Sequence, residues 1–319
     1  MTKLLRRFLL IATLSMAPLS SAENTEPNML LLGASVAKDA LVLVGERGTI
    51  LHSTDSAQSW QRKESGVSAA FTAVSFATDG LHGWVAGHDA LILATTDGGA
   101  TWGPAYQGDN REDSFLDILV IDQNTIIAVG AYGYYVESRD GGLTWETRYV
   151  QDQDSHLNRI TQANDGTLYL AGERGTLLFS TDNGLEWQPI GTPYQGSFYG
   201  ILPLHNGSLL AHGLRGHIYL SDNQGENWTQ VAIDSYPLLS VSYLLPDGTI
   251  ILAGQSRAFL ISQDGGASFQ SWPEVKITTG LAAIIQSRDG QLWALGEAGL
   301  AHGRHGLVRS SNTRRRQFQ

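Results

Sequence analysis

Six short segments of this chain place an acidic or amide side chain between hydroxyl groups and an aromatic ring. They carry Ser53, Asp55, Ser59 and Trp60; Thr95, Asp97, Thr101 and Trp102; Ser138, Asp140, Thr144 and Trp145. The series continues with Ser180, Asp182, Glu186 and Trp187; Ser221, Asn223, Asn227 and Trp228; and Ser262, Asp264, Ser268 and Phe269. Carboxylates in glycine-containing loops suggest hard-cation binding at first sight. At Asn223, however, a metal cage would miss its carboxylate. A short polar side chain that accepts hydrogen bonds from its own turn explains Asp and Asn alike. The glycine that follows tolerates positive φ, and the closing ring is suited to bury a large apolar area between layers. The boxes therefore read as structural, with no metal, no cofactor and no catalytic residue among them.

A second series precedes each box. It runs Gly45-Glu46-Arg47-Gly48, Gly87-His88-Asp89-Ala90, Gly130-Ala131-Tyr132-Gly133 and Gly172-Glu173-Arg174-Gly175. Gly213-Leu214-Arg215-Gly216, Gly254-Gln255-Ser256-Arg257 and Gly296-Glu297-Ala298-Gly299 complete it. The box Asp/Asn positions lie 42, 43, 42, 41 and 41 residues apart. Such a period marks an internal repeat. Seven quartets and six boxes imply seven units, the last with its box decayed to Ala301 through His305. Each unit holds four short runs of strand-forming residues separated by turns, which is the arithmetic of a propeller blade. Closing seven blades in a ring leaves few exposed sheet edges. The expected fold is all-β, a seven-bladed β-propeller of four-stranded antiparallel blades spanning about residues 27–311.

Composition narrows the function. The 319 residues are 42% hydrophobic and 16% charged, with a net charge of -10 that argues against a nucleic-acid partner. There is no cysteine, hence no disulfide, thiolate metal site, cysteine nucleophile or lipidated cysteine. Residues 1–22 show a basic start at Lys3, Arg6 and Arg7, an apolar stretch from Phe8 to Met16, and the small residues Ser20, Ser21 and Ala22. That layout reads as a cleaved export signal, placing the product in a periplasm or outside the cell. Residues 312–319 read as a flexible basic tail.

Chain direction sorts the loops. Turns A–B and C–D share one face of an up-and-down blade, and turns B–C share the other with the crossovers between blades. The boxes thus fall on one face, and the Gly-x-x-Gly turns fall opposite. On that second face the sequence sets Arg47, Arg174, Arg215 and Arg257, with Tyr106, Tyr132, Tyr149, Tyr194 and Tyr236 in turns and crossovers. Arginine and tyrosine on a rigid scaffold are common binding anchors. At the channel, the innermost strands read Ala73, Asp117, Arg159, Gly200, Ser240 and Ala283 at one aligned position. Asp117 and Arg159 fall on neighbouring blades and should pair within about 6 Å, at the mouth of the channel on the binding face.

The Ser-x-Asp-x-Gly-x-Thr-Trp pattern is the Asp-box, or BNR repeat, of sialidases, sortilin-like receptors and other propellers. The longer unit from Leu43 to Asp55 resembles the photosystem II stability/assembly factor family. The resemblance covers the mature chain. It implies a non-catalytic scaffold that holds a newly made membrane protein, with an arginine-rich patch that Arg47, Arg174, Arg215 and Arg257 would supply. The expected partner is an inner-membrane protein, with peripheral contact to the membrane and the propeller working as a monomer. The alternatives are a glycan-binding lectin and a sialidase-like glycoside hydrolase. The hydrolase lacks support, because no Arg-Ile-Pro segment is present and the blades leave little room for catalytic insertions.

Overall fold

A computed structural model describes residues 28–151, 154–272 and 278–300. The export signal, the basic tail and the decayed seventh box lie outside the described residues. Seven antiparallel sheets follow one another along the chain, each in the simple order A–B–C–D from the centre outward. The innermost strands are Leu31–Val36, Phe71–Phe76, Phe115–Val120, Leu157–Gln162, Phe198–Pro203, Leu239–Leu244 and Leu281–Gln286. Six sheets have four strands, and the seventh has three among the described residues. The fold is a seven-bladed propeller, as the repeat arithmetic requires.

The residue pattern changes with distance from the axis. Every B strand is buried along its whole length, as in Leu41–Gly45, Ile126–Gly130 and Ile250–Gly254. A strand covered on both faces by neighbouring blades reads as continuous apolar sequence rather than as alternation. The outer D strands, such as Gln188–Pro189 and Thr229–Gln230, are short, polar and exposed. Short polar edges discourage pairing with other chains. Between blades lie separate apolar clusters. One of them joins Ile285, Trp293 and Leu295 of the last blade to Leu31, Leu41 and Leu43 of the first, and so closes the ring.

Each innermost strand carries a β-bulge near its start. In blade six Leu239 pairs with Gly254 and Val241 with Ala253, leaving Ser240 unpaired. The same shift occurs at Thr72, Asn158 and Tyr199. The aligned inner position is therefore Ala73, Asp117, Arg159, Gly200, Val241 and Ala283, with Val241 in place of the Ser240 expected from sequence. A bulge inserts one residue without a visible break in the pattern, and this aims a row of side chains toward the channel.

Candidate functional site

The six box turns are closed systems. The Asp97 carboxylate accepts from the Thr95 hydroxyl at 2.7 Å, the Thr101 amide at 2.9 Å and the Thr101 hydroxyl at 2.6 Å. Asp264 accepts the equivalent three from Ser262 and Ser268 at 2.7, 3.0 and 2.6 Å. The opening hydroxyl in turn accepts the N–H of Gly99 or Gly266. Burial alone would raise the Asp97 carboxyl, but the Thr101 and Thr95 hydrogen bonds prevail and bring it to about 2. The Ser268 hydroxyl and amide, with Ser262, hold Asp264 at about 2. Asn223 makes the same turn, accepting from Ser221 at 3.0 Å and the Asn227 amide at 2.9 Å. Among the described residues no group of three or more His, Asp or Glu could hold a metal ion. The closing rings Trp102, Trp145, Trp187, Trp228 and Phe269 each pack into an interblade cluster, as does the buried Trp60.

On the opposite face the turns are open systems. Thr49 N–H donates to the Glu46 carbonyl at 3.0 Å, so Arg47 and Gly48 are the centre of a two-residue turn. Both have positive φ, 53° and 64°. Two central residues at positive φ make this a type I′ turn, whose first centre ordinarily favours Asn, Asp or Gly. Here that position is held by Arg47, Tyr132, Arg174 and Arg215, at φ of 53° to 57°. In blade six Ser256 and Arg257 occupy both centres, at 57° and 62°. A left-handed conformation costs a residue with a full side chain about 1 kcal/mol. The surroundings impose it. Gly48, Gly175 and Gly216 each donate their N–H to a crossover carbonyl, of Ala69, Gly196 and Pro237 respectively. A Cβ on the leading glycine, Gly45 in blade one, would overlap the Leu30 carbonyl oxygen.

Arg47, Arg174, Arg215 and Arg257 are exposed, and no ion pair among the described residues engages them. Arg139, Arg148 and Arg288, by contrast, have acidic partners at 2.7 to 3.1 Å. Arg174, Arg215 and Arg257 form an arc over consecutive blades four to six, and Arg47 stands beyond blade seven. Arg62, whose guanidinium donates to the Arg47 carbonyl, and Arg111 in the next crossover accompany it. Sequence reasoning missed these two because arginine does not recur at the matching positions of the other blades. Glu46, Glu173 and Glu297 accept the N–H groups of Leu30, His156 and Gly280 at the entry to strand A.

The five tyrosines divide. Tyr132, Tyr149 and Tyr236 are 67%, 86% and 86% exposed. Tyr106 and Tyr194 depart from the reading as loop anchors. Tyr106 lies on strand Gly103–Gln107, packs near Phe115 and Trp145, and shares a hydroxyl–hydroxyl bond with Tyr134. Tyr194 is stacked against His217, with centroids 4.3 Å apart, and packs on Phe198. A ring flanked by other aromatics belongs to the interblade packing, which alternation in one sequence does not reveal.

At the channel, the Arg159 guanidinium lies 3.6 Å from the buried Asp117 carboxylate. The expected pair is present. Arg159 lines a cavity of about 330 Å³ together with the bulge residues Thr72, Asn158, Tyr199 and Ser240. Gln255 and Glu297 from the B–C turns also line it, so it opens on the arginine-bearing face. His212 lies fully buried under Gly200, where it donates from Nδ1 to the Leu239 carbonyl at 2.9 Å. Its Nε2 has no hydrogen-bond partner among the described residues. Burial, aided by the nearby Arg159 charge, lowers its pKa to about 4.

The family profile described as Photosynthesis system II assembly factor YCF48 matches residues 22–110 and 105–234. The chain is 28% identical to the Photosystem II assembly lipoprotein Ycf48 of Synechococcus sp. (strain CC9902), over 77% of this chain and 75% of that protein. It is 22% identical to the chloroplastic Photosystem II stability/assembly factor HCF136 of Arabidopsis thaliana, over 82% of this chain and 71% of that one. Among solved structures, YCF48 bound to a D1 peptide superposes with a TM-score of 0.70 at 23% identity, covering 86% of this chain and 93% of that chain.

Proposed function

The chain belongs to the family of the photosynthesis system II assembly factor YCF48, and from that premise we propose that it is an exported, non-catalytic scaffold that holds a membrane protein during assembly. The observation that carries this reading is the row of unpaired arginines on left-handed turn positions. A strained backbone that presents a charged side chain to solvent, repeated on several blades, is the kind of outlier from which function is inferred. The body of the protein is acidic, so a local basic face orients a docking partner more than it adds affinity. Arg47, Arg174, Arg215 and Arg257 pair with client carboxylates, a geometry that guanidinium forks suit. Tyr132, Tyr149 and Tyr236 supply the apolar anchors. That a structure of similar fold was solved with a peptide bound supports a protein as the partner.

Residues 1–22 act as the cleaved export signal, and the mature ring works as a monomer against the membrane surface. The relatives called lipoproteins suggest membrane attachment. This chain has no cysteine to lipidate, so its membrane contact runs through the client. The test is affinity capture from solubilised membranes, with bound proteins identified by mass spectrometry. Changing Arg47, Arg174 and Arg215 together to Glu should abolish capture while leaving the thermal midpoint within a few degrees. Capture that survives these changes at ordinary salt refutes the assignment of the face.

A further inference from the structure

We propose that the mouth of the central channel is a second binding site, for a carboxylate carried on an apolar stem, with Arg159 as its receptor. The cavity of about 330 Å³ falls in the size range of small-ligand sites, which are mostly apolar with a few placed polar groups. Its wall is asymmetric. Leu30, Leu32, Leu116 and Ala282 make the side formed by blades one, three and seven, and Asn158, Arg159, Tyr199 and Ser240, with Leu238, make the side formed by blades four to six.

Most polar groups of this wall are already engaged. The Thr72 hydroxyl donates to the Phe115 carbonyl at 2.9 Å, the Asn158 amide to Phe198 at 2.7 Å, and the Ser240 hydroxyl to Leu281 at 3.2 Å. Each bond latches one blade to the next. Arg159 differs. Of its five N–H donors, one makes a long bond of 3.4 Å to the Ser240 carbonyl. Asp117 stands 3.6 Å away and is itself fixed by the Ile160 N–H at 2.9 Å. It aims the guanidinium and compensates its charge without filling its hydrogen-bonding positions. Tyr199 lines the same wall. Across the mouth, Glu297 is held by the Gly280 N–H, and its charge directs an incoming carboxylate away from blade seven toward Arg159. An anionic tip on the blade-four side and an apolar stem against the leucines fit this wall. The same chemistry arises from a free aliphatic acid or from the end of a protein chain.

Calorimetric titration of the whole chain with octanoate, octanamide and a tripeptide ending in a free leucine carboxylate tests the site. Octanoate should bind saturably, and octanamide at least about tenfold more weakly, since charge-assisted bonds to arginine are the strong ones. Arg159→Gln should lose octanoate by a similar factor. Asp117→Asn, which keeps an acceptor for the Ile160 N–H, should tighten it several-fold by removing the competing anion, a gain that a merely structural role would not produce. The triple Arg47, Arg174 and Arg215 to Glu protein should bind octanoate unchanged, which separates this site from the client face. Uptake of the tripeptide as well as octanoate assigns a chain end, and octanoate alone assigns a free acid. No saturable octanoate binding by the folded chain, or full retention in folded Arg159→Gln, overturns the proposal. If Arg159→Gln fails to fold, unchanged binding in Leu116→Asp does so instead.

Discussion

Six blades carry a box turn and a Gly-x-x-Gly-type turn on opposite faces, and the two treat charge in opposite ways. The box turn between strands C and D encloses its carboxylate. Asp97 is answered by Thr95 and Thr101 of its own turn, leaving little reason for an outside group to approach. The turn between strands B and C encloses only backbone. Its side chain, Arg47 or Arg174 or Arg215, stands free in solvent on a conformation that arginine disfavours. Both turns recur with the same period, so recurrence alone does not identify function. The difference lies in whether the polar group is satisfied locally. A satisfied turn can be repeated for stability, whereas an unsatisfied and strained one persists only if it is useful elsewhere.

The largest expected effect lies at the ring that closes each box. Trp102→Ala or Trp145→Ala should cost about 3–5 kcal/mol, because each leaves a large void between blades. Denaturant unfolding would measure the loss, and capture by the remaining folded molecules should be normal. If either variant loses capture without losing stability, the division between the two faces fails.

A similar magnitude belongs to His212, which sits on neither turn. Its folded pKa of about 4 lies below the ordinary value of 6.5. The unfolded chain therefore takes up a proton that the folded chain refuses, and stability is lost as pH falls from 6.5 toward 4. The loss reaches about 3 kcal/mol at the lower limit. Unfolding free energies measured across that window should slope for the natural chain and flatten for His212→Gln. Equal slopes would mean that the imidazole has no such burial.

The fold was legible in the sequence because period, turn residues and apolar strands all agreed. The site was legible only in part. Arg47, Arg174 and Arg215 stood out because they recur in aligned turns, and Asp117 with Arg159 because two charges interrupt a row of small residues. In blade six the row runs through Val241, one residue beyond the Ser240 read from the sequence, which is itself the unpaired bulge residue. Tyr106 and Tyr194 looked like Tyr149 and Tyr236 because a ring wedged between blades and a ring in solvent have the same neighbours in sequence. Arg62 and Arg111 were hidden for the reverse reason. They reach the face from an outer strand and a crossover whose counterparts in the other blades carry no arginine at the matching position.

Smaller effects sharpen the contrast between the turns. Asp97→Ala should cost about 1 kcal/mol, the usual value for losing a side-chain cap on backbone amides. Asp97→Asn should cost less, since Asn223 closes the same turn. The carboxylate version also carries a pH term. Its pKa is depressed to about 2, so its contribution is complete above the ordinary carboxylate range and declines as pH falls from about 4 to 2. Thermal melts of the two variants at pH 7 and pH 3 would reveal it. Asp97→Asn should lose less on acidification than the natural chain.

The least change in stability, and the most instructive, is expected on the other face. Arg174 occupies the first centre of a type I′ turn at φ 54°, where asparagine is favoured. Replacing it with Asn relieves the left-handed strain and leaves every backbone hydrogen bond of the turn in place. Arg174→Asn should therefore raise stability by up to about 1 kcal/mol, with Arg215→Asn behaving alike. Both variants should capture the client less well. Stability and binding would then move in opposite directions at one residue, as required if the arginine is kept for its side chain against the preference of its backbone. A variant that loses stability and keeps capture would show that the turn selects arginine for the fold, and the distinction between enclosed and open turns would be wrong at this position.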